Sequence, residues 1–141
     1  MQIKPFAELS TAELYEILKA RMTVFMIEQG IHYLDEDNID YLSTHYFLTQ
    51  SGRVVAYARV YPDAEPGVLR IGRMLTIERG KGYARYLMRR ITTEARKKGT
   101  ACLRLHAQKQ AAPFYRKCRF HTVGKAFLEA GIPHLCMEKN L

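Results

Sequence analysis

Residues 79–85, which read Arg-Gly-Lys-Gly-Tyr-Ala-Arg, combine residue types that hold phosphate groups. They follow a short branched apolar run, residues 68–77, that predicts a strand, and they precede apolar residues at helical spacing. A turn at a helix N-terminus presents unpaired backbone N–H groups and the positive end of the helix dipole. Gly80 and Gly82 permit positive φ and a close approach of the backbone to a ligand. This segment therefore predicts a phosphate site.

The spacing of these residues excludes two common phosphate-loop signatures. The chain has no G-x-x-x-x-G-K-[ST] run, which a Walker loop requires. A dinucleotide-binding G-x-G-x-x-G would need glycine at Arg85 and an acid ending the next strand, residues 102–106, where none occurs. What remains is R-x-x-G-x-A, formed by Arg79, Gly82 and Ala84.

Charge is distributed unevenly along the chain, whose formal net charge is +8. Residues 78–98 contain eight basic side chains and two acids, whereas residues 28–40 contain five acids and no lysine or arginine. The first region suits a polyanion and the second attracts a cation. A basic face is typical of nucleic-acid binding. Here the basic residues surround the phosphate loop, so we expect a small phosphorylated ligand and no nucleic acid.

Bulk properties indicate one domain spanning residues 1–141. The 141 residues, 48% hydrophobic and 26% charged, suit a single soluble globular unit with a substantial core. The sequence shows no membrane-length apolar stretch and no signal-peptide organisation, so we expect a cytoplasmic protein with no membrane association. Three cysteines without C-x-x-C spacing indicate reduced thiols, and scattered histidines predict no metal site.

Local patterns predict the elements that position these residues. The capping box Ser10-x-x-Glu13 opens a helix to about Ile27, and Ser51-Gly52 joins two strands in a hairpin. The remaining elements are the strand before the loop, the helix after it, a strand at 101–107, a short helix from Pro113, and strands at 120–127 and 134–139. The order β-α-β-β-β-α-β-α-β-β predicts an α/β fold with a mixed sheet, in which two parallel strands are joined by a right-handed crossover.

Two segments together resemble a known family. The pattern of Arg79, Gly82 and Ala84 resembles the pyrophosphate loop of GNAT-superfamily N-acetyltransferases, [QR]-x-x-G-x-[GA]. Residues 112–120 resemble the F-Y-x-x-x-G-F element that follows the loop in those enzymes, with Arg119 where glycine is usual. Further matches resemble the ElaA-like subgroup and extend the likeness nearly end to end. They are Val24-Phe25 with Glu28-Gln29, Tyr33 with Glu36 and Asp37, Asp40 with His45, Ile71-Gly72-Arg73, Ala107-Gln108, and Phe127-x-Glu129-x-Gly131-Ile132-Pro133-His134.

The resemblance implies the GNAT acyl-CoA N-acyltransferase fold and acetyl-CoA as donor. In that fold the strand before the loop separates from the next parallel strand, and the pantetheine arm enters the gap. Backbone groups of the first strand would bond the pantetheine amides, and the loop amides would hold the pyrophosphate. The implied cofactor-binding residues are Met74, Leu75, Thr76, Arg79, Gly80, Lys81, Gly82, Tyr83, Ala84 and Arg85.

The resemblance also implies catalytic residues. Tyr115 resembles the family's general acid, because a tyrosine hydroxyl near the sulfur can protonate the departing CoA thiolate. The alternative is that Tyr115 is a core aromatic beside Phe114. The candidates for a base that deprotonates the amine are Glu28, Glu36, Asp37 and His106. We favour Glu28, and a mechanism with no dedicated base stays open because proximity alone lowers such barriers by roughly 7–11 kcal/mol.

The acidic loop predicts the acceptor side of the site. We expect Tyr33, Glu36, Asp37 and His134 to bind a cationic amine, either a small molecule or a peptide. A polyamine-like metabolite, an amino sugar, a lysine and an N-terminus all fit. An acidic surface loop with ordinary hydrogen bonds is the alternative interpretation.

Three functions follow in order of preference. The first is an acetyl-CoA:amine N-acetyltransferase that works by direct attack in a ternary complex. The second is a non-catalytic acyl-CoA-binding or sensor module on the same fold. The third is a basic nucleic-acid-binding domain, which leaves the acidic loop and the Phe114-Tyr115 pair unexplained. By analogy with the family, a homodimer paired through late strands is also an expectation.

Overall fold

The computed structural model describes all residues from 1 to 141 and contains seven strands and three α-helices. The strands are β1 (Gln2–Pro5), β2 (Thr44–Gln50), β3 (Arg53–Pro62), β4 (Val68–Thr76), β5 (Cys102–Gln108), β6 (His121–Glu129) and β7 (Ile132–Asn140). The helices are α1 (Thr11–Arg21), α2 (Tyr83–Lys97) and α3 (Ala112–Lys117). The predicted order of strands and helices is confirmed.

All seven strands form one mixed sheet in the order β1-β2-β3-β4-β5-β7-β6. Only β4 and β5 are parallel, and every other neighbouring pair is antiparallel. Parallel neighbours need a crossover connection, and α2 supplies it between β4 and β5. The predicted hairpin at Ser51-Gly52 joins β2 to β3.

The apolar face of α2 is buried against the sheet. Leu87, Met88, Ile91 and Ala95 are each at most 2% exposed and pack with residues of β3, β4 and β5 such as Leu103. A fully buried leucine or isoleucine contributes roughly 1.5–3 kcal/mol, so this face fixes the helix and the loop that precedes it. The helical spacing predicted for this segment is confirmed.

The α1 helix packs on the opposite face of the sheet. Ile17 and Ala20 of α1 cluster with Tyr57 of β3. The residues on either side of Tyr57, Ala56 and Ala58, pack in the cluster that contains α2. Because side chains alternate along a strand, the two helices cover opposite faces of the sheet. The helix opens with the predicted capping box, in which the Glu13 N–H donates to Ser10 Oγ at 3.0 Å and the Ser10 N–H donates to Glu13 Oε1 at 2.8 Å.

The α1 helix continues with π-helical hydrogen bonding over Met22–Glu28, as in the bond from the Gln29 N–H to the Val24 carbonyl at 3.1 Å. The Thr23 hydroxyl donates to the Lys19 carbonyl at 2.8 Å, and such a bond competes with the regular backbone pattern. The predicted helix to about Ile27 therefore exists, but its last two turns are wider than an α-helix. Wide turns of this kind are frequent at functional sites.

The last hairpin differs from its prediction. Ile132 and Pro133 were predicted in the turn, which is wrong because β7 begins at Ile132 and the turn is Ala130-Gly131. Pro133 is tolerated because the pairing of β7 with β5 begins only at His134, so the missing N–H of Pro133 removes no bond to β5. No helix of the protein has both the length and the apolar character needed to cross a membrane.

Candidate active site in the gap between β4 and β5

The two parallel strands separate part way along their length. β4 and β5 pair only as far as Ile71 and Leu105. Beyond these residues they continue to Thr76 and Gln108 with no ladder between them. The separation follows an irregularity in β4, where Arg73 has φ of 53° and the pairing with β3 shifts register. Because a bulge bends a strand, β4 leaves β5 and a gap opens between them.

A cavity of about 1110 Å³ lies in this gap. Residues of β4 and β5 form two of its walls, the π-helical segment with the loop after it forms a third, and α3 contributes the fourth. Ten of the predicted site residues line it, namely Met74, Leu75, Thr76, Arg79, Ala84, Tyr115, Glu28, Tyr33, Glu36 and His134. One cavity thus brings together residues predicted separately for donor, acid and acceptor.

The phosphate loop presents unpaired amides at the start of α2. Gly80 and Gly82 have φ of 77° and 75°. A Cβ added at either position would meet no atom within 4 Å, so backbone conformation, not crowding inside the protein, calls for glycine. The first helical bond runs from the Tyr86 N–H to the Gly82 carbonyl, and the amides of the three residues between them have no partner in the chain. These amides are available to an anion.

A second, smaller cavity of about 420 Å³ lies beside the loop. Lys81, Gly82, Tyr83 and Arg85 line it together with Leu48, Tyr86 and Arg89. The Gln50 amide donates to the Tyr83 hydroxyl at 2.8 Å and ties the loop to β2. The remaining predicted loop residue, Gly80, lines neither cavity. The basic side chains here reinforce the positive helix end toward a phosphate.

Tyr115 is held rigidly at the wall of the main cavity. It lies on α3, which has proline in its first turn, and its ring makes edge contacts with Phe114 and Phe120 at centroid distances of 5.2 and 5.9 Å. The side chain is 9% exposed, and burial, with a smaller effect of Cys118, raises the pKa of its hydroxyl well above the ordinary tyrosine value. The hydroxyl therefore keeps its proton at neutral pH and is placed as a donor.

Arg119 preserves the backbone shape expected of the usual glycine. Its φ is 74°, in the left-handed region, and its N–H donates to the Arg116 carbonyl at 3.0 Å as α3 ends. The Phe120 N–H donates to the Tyr115 carbonyl at 3.0 Å. The departure from the family pattern thus leaves the turn after Tyr115 intact, at a conformational cost of roughly 1–2 kcal/mol.

Most of the acidic loop is engaged in a buried ion-pair network. Asp35, Asp37 and Asp40 meet the guanidinium groups of Arg21, Arg59 and Arg73, with N–O distances between 2.6 and 3.4 Å. Arg21 and Arg59 are 1% and 2% exposed. A buried charge is tolerated only when it is paired and hydrogen-bonded, so each carboxylate is needed where it is.

Asp37 belongs to this network and does not line the cavity. It accepts two hydrogen bonds from Arg59, at 2.7 and 2.6 Å, and one from the Ile39 N–H at 3.1 Å. Burial would raise the pKa of Asp37, but the hydrogen bonds and charge of Arg59, with the charge of Arg73, outweigh it and lower the pKa to about 2. Asp37 therefore holds the loop against β3 and β4.

Glu28, predicted as the base, and Tyr33 and Glu36, predicted to bind the acceptor, all line the cavity. Glu28 ends the π-helical segment, and its Oε2 lies 3.9 Å from Arg79 Nη2 of the phosphate loop. Glu36 makes no ion pair within the chain, and Tyr33 is 72% exposed. Apolar side chains of the same segment, including Met22 and Met26, lie beside them.

His134 joins a second cluster on the β5–β7 side of the cavity. Its Nδ1–H donates to the Ile132 carbonyl at 2.7 Å, and its Nε2 lies 3.6 Å from Glu129 Oε2. The other Glu129 oxygen lies 2.9 Å from His106 Nδ1, and the Phe127 ring packs between the two imidazoles. All three polar residues line the cavity.

Sequence reasoning missed the roles of three residues. Arg59 interrupts the apolar strand β3, and Arg21 follows the buried Ile17 by one helical turn. Both spacings place the arginine on a buried face of its element, and this signal could have indicated a buried ion pair. Glu129 lay within the ElaA-like matches without an assigned role. No local pattern pairs it with His106, which is 23 residues away in the chain.

Comparisons with known proteins find similarity over nearly the whole chain. A family model described as an acetyltransferase (GNAT) domain matches residues 14–141. A UPF0039 protein of Schizosaccharomyces pombe is 38% identical, with 98% of this chain and 95% of the relative covered. An acyl-CoA N-acyltransferase from Pseudomonas aeruginosa has a TM-score of 0.89 at 30% identity, covering 98% of this chain and 97% of its own. Escherichia coli ElaA has a TM-score of 0.91 at 28% identity, covering 99% and 97%.

Proposed function

The chain belongs to the GNAT acetyltransferase family, and from that premise we propose that it transfers an acetyl group from acetyl-CoA to a primary amine by direct attack in a ternary complex. Family membership supports acyl transfer from a CoA donor. Acetyl transfer to an amine is supported by one observation, the single cavity that β4, Tyr115 and the acidic loop all line. Donor, acid and acceptor must meet in one place for direct attack.

The donor side is formed by β4 and the phosphate loop. The edge of β4 that faces β5 has no strand partner beyond Ile71, so backbone groups at Met74, Leu75 and Thr76 can pair with the amides of the pantetheine arm. The free amides at the start of α2, with Arg79, Lys81 and Arg85, suit the pyrophosphate. The residues present thus fit acetyl-CoA as donor.

Tyr115 is the general acid of the proposed reaction. The amine nitrogen forms a bond to the thioester carbonyl carbon, and the carbon–sulfur bond breaks. Tyr115 donates its proton to the sulfur and regains one that the nitrogen has lost. A positioned acid of this kind contributes roughly 10²–10⁴-fold in rate. The raised pKa of Tyr115 keeps the proton in place until a thiolate forms beside it.

The acceptor side combines few free carboxylates with much apolar surface. Glu28 and Glu36 are available to an ammonium group, with Tyr33 and His134 beside them. Met22, Met26 and Leu34 line the same end of the cavity and are 45%, 44% and 78% exposed. We therefore propose a primary amine that carries an apolar portion and whose ammonium group is attracted by Glu28, the residue that the sequence predicts as the base.

The first test is a calorimetric titration of acetyl-CoA, and of CoA with longer acyl groups, into wild type and Gly82→Val. Wild type is expected to bind acetyl-CoA, and the valine variant to lose that binding, because it combines a strained positive φ with a side chain that projects into the anion site. Turnover of acetyl-CoA with 2-phenylethylamine then tests the acceptor class.

Gly99→Val is the matched control. Gly99 has φ of 74° and open space around it, like Gly82, but it follows the far end of α2. Both variants carry the same backbone strain, so only Gly82→Val should lose acetyl-CoA. Equal loss in both variants, or no binding to folded wild type, would contradict the proposal.

A further inference from the structure

His106 occupies a special position on β5. It is the first residue of β5 beyond the last pair with β4, so it stands where the gap begins. Its neighbours Leu105 and Ala107 belong to the core cluster that contains Tyr115. Because side chains alternate across a strand, His106 lies on the opposite face of the sheet from Tyr115. The side chain is 28% exposed and lines the cavity that also touches Tyr115.

The hydrogen bonds of His106 determine which ring nitrogen is free. The Glu129 carboxylate accepts at 2.9 Å, so His106 Nδ1 carries the proton. In the neutral imidazole the other nitrogen, Nε2, then has its lone pair available and makes no hydrogen bond within the chain. An imidazole held in this way by a carboxylate is arranged to accept a proton.

The surroundings fix the orientation of this pair. The Phe127 ring meets His106 edge-on at 4.9 Å between centroids. Glu129 is also approached by His134 Nε2 at 3.6 Å, and His134 is anchored through its Nδ1–H to the Ile132 carbonyl. On the same face the Gln108 amide donates to the Gln29 side chain at 2.7 Å and ties the end of β5 to the segment that carries Glu28.

We propose that His106, positioned by Glu129, is the general base that deprotonates the acceptor amine. This inference rests on the proposed function and names a residue for its unassigned step. His106 Nε2 takes one proton from the ammonium group, directly or through one water, and passes it to solvent after turnover. The amine lone pair then forms the C–N bond. As the C–S bond breaks, the nitrogen loses its second proton, which balances the one that Tyr115 gives to sulfur.

The geometry favours His106 over Glu28. Glu28 is 42% exposed and lies 3.9 Å from Arg79, beside the pyrophosphate loop and not at the point where the strands part. His106 lies at that point, across the sheet from the acid, so a thioester held in the gap would have base and acid on opposite sides. Glu28 then serves to attract the ammonium group.

Several charged or titratable groups surround His106 and bear on any pH profile. Those nearest are Glu129 of β6, His134 and Cys136 of β7, and Arg104 of β5, and those across the cavity are Glu28, Glu36 and Arg73. Variants are therefore compared over the same pH series, so that a change can be assigned to the residue replaced.

The test measures kcat/KM for 2-phenylethylamine with acetyl-CoA from about pH 6 to about pH 10 in wild type, H106Q, E28Q and H121Q. H106Q should lower kcat/KM roughly 10²-fold near neutral pH. The deficit should shrink as pH approaches the amine pKa, about 10, because the free amine then needs no base. H121Q, which alters an exposed histidine outside the cavity, should leave the profile unchanged. If E28Q instead shows the pH-dependent deficit and H106Q does not, the inference is overturned.

Glu129 acts through His106 and needs a separate readout. E129Q should reproduce part of the pH-dependent deficit of H106Q, because the imidazole loses the carboxylate that holds its Nδ1–H; an E129Q profile identical to that of the wild type would count against the pair. Long-range ¹H–¹⁵N spectra at neutral pH should show the Nδ1–H tautomer of His106 in the wild type, and the Nε2–H tautomer would refute the proposed base. The spectra test the tautomer of His106 even if 2-phenylethylamine is not turned over. Absence of turnover would contradict only the proposed acceptor class. Loss of acetyl-CoA binding in H106Q would point to a structural role instead.

Discussion

Replacing Asp37 by asparagine separates two roles for this residue, as a ligand of the acceptor and as a member of the ion-pair network. The structure supports the second role, since both carboxylate oxygens are engaged by Arg59 and the side chain does not line the cavity. An asparagine removes the negative charge while keeping the side-chain shape. It leaves Arg59, which is 2% exposed, with only Asp40 as an anionic partner.

The size of the effect follows from the pKa of Asp37. The lowering from 3.8 to about 2 corresponds to roughly 2.5 kcal/mol of preference for the charged form in the folded state. The Asp37 side chain is 29% exposed, so solvent screens part of this energy. We expect Asp37→Asn to lower the free energy of unfolding by about 1–2 kcal/mol at pH 7.

The pH dependence has a definite sign. Because the folded-state pKa lies below the unfolded-state value, Asp37 stabilises the protein above pH 4, and this contribution disappears as pH falls from about 4 to about 2. Urea unfolding of wild type and variant at pH 7 and pH 3 should therefore show a smaller difference at the lower pH. Glu36→Gln, at the adjacent residue with no ion pair, should change stability by less than about 0.5 kcal/mol.

An Asp37→Asn variant as stable as wild type at pH 7, or a loss of stability that does not depend on pH, would exclude the network role of Asp37. A second readout distinguishes the two roles. If Asp37 is a ligand of the acceptor, Asp37→Asn should raise KM for the amine and leave the free energy of unfolding unchanged. If Asp37 belongs to the network, the variant should lower the free energy of unfolding.

Two further predictions concern α3 and the turn after it. Tyr115→Phe should lower kcat roughly 10²-fold or more, with acetyl-CoA binding and thermal stability retained, because only the acid is removed; an unchanged kcat would exclude Tyr115 as the acid. Arg119→Gly should raise the free energy of unfolding by about 1 kcal/mol, since glycine adopts the left-handed conformation without the Cβ cost. Thermal unfolding measures this, and a destabilised glycine variant would indicate that the arginine side chain makes a compensating contact.

Local patterns predicted much of the fold because they are enforced within a few residues. Both hydrogen bonds of the Ser10–Glu13 capping box form, and the glycine-bearing turn at Gly52 closes its hairpin. The conformation of the turn before α2 was predictable for the same reason, since the positive φ at Gly80 and Gly82 calls for glycine. Tyr115 required more, namely a second motif at the right separation, before its position beside the loop could be expected.

Features that depend on distant partners could not be predicted in this way. The acids of residues 28–40 appeared as one cation-attracting loop, yet the partners of Asp35, Asp37 and Asp40 come from α1, β3 and β4. The π-helical turns contain the buried Val24 and the Thr23 hydroxyl bond, and helical periodicity gives no signal for either their width or that bond. The pairing of His106 with Glu129 depends on the register of β5, β7 and β6 together.

The ion-pair network changes how the charge of the acceptor side should be interpreted. Each of its three aspartates is matched by a buried or half-buried arginine, so together they add no net charge to the cavity. The attraction for a cation then comes from Glu28 and Glu36, and the network instead contributes rigidity by fixing the loop to the strand that borders the gap. Because few free carboxylates lie beside an apolar wall, we propose as acceptor an amine with one positive charge and an apolar body, not a polyamine or an amino sugar. Additional charged or hydroxyl groups would lose water without gaining partners.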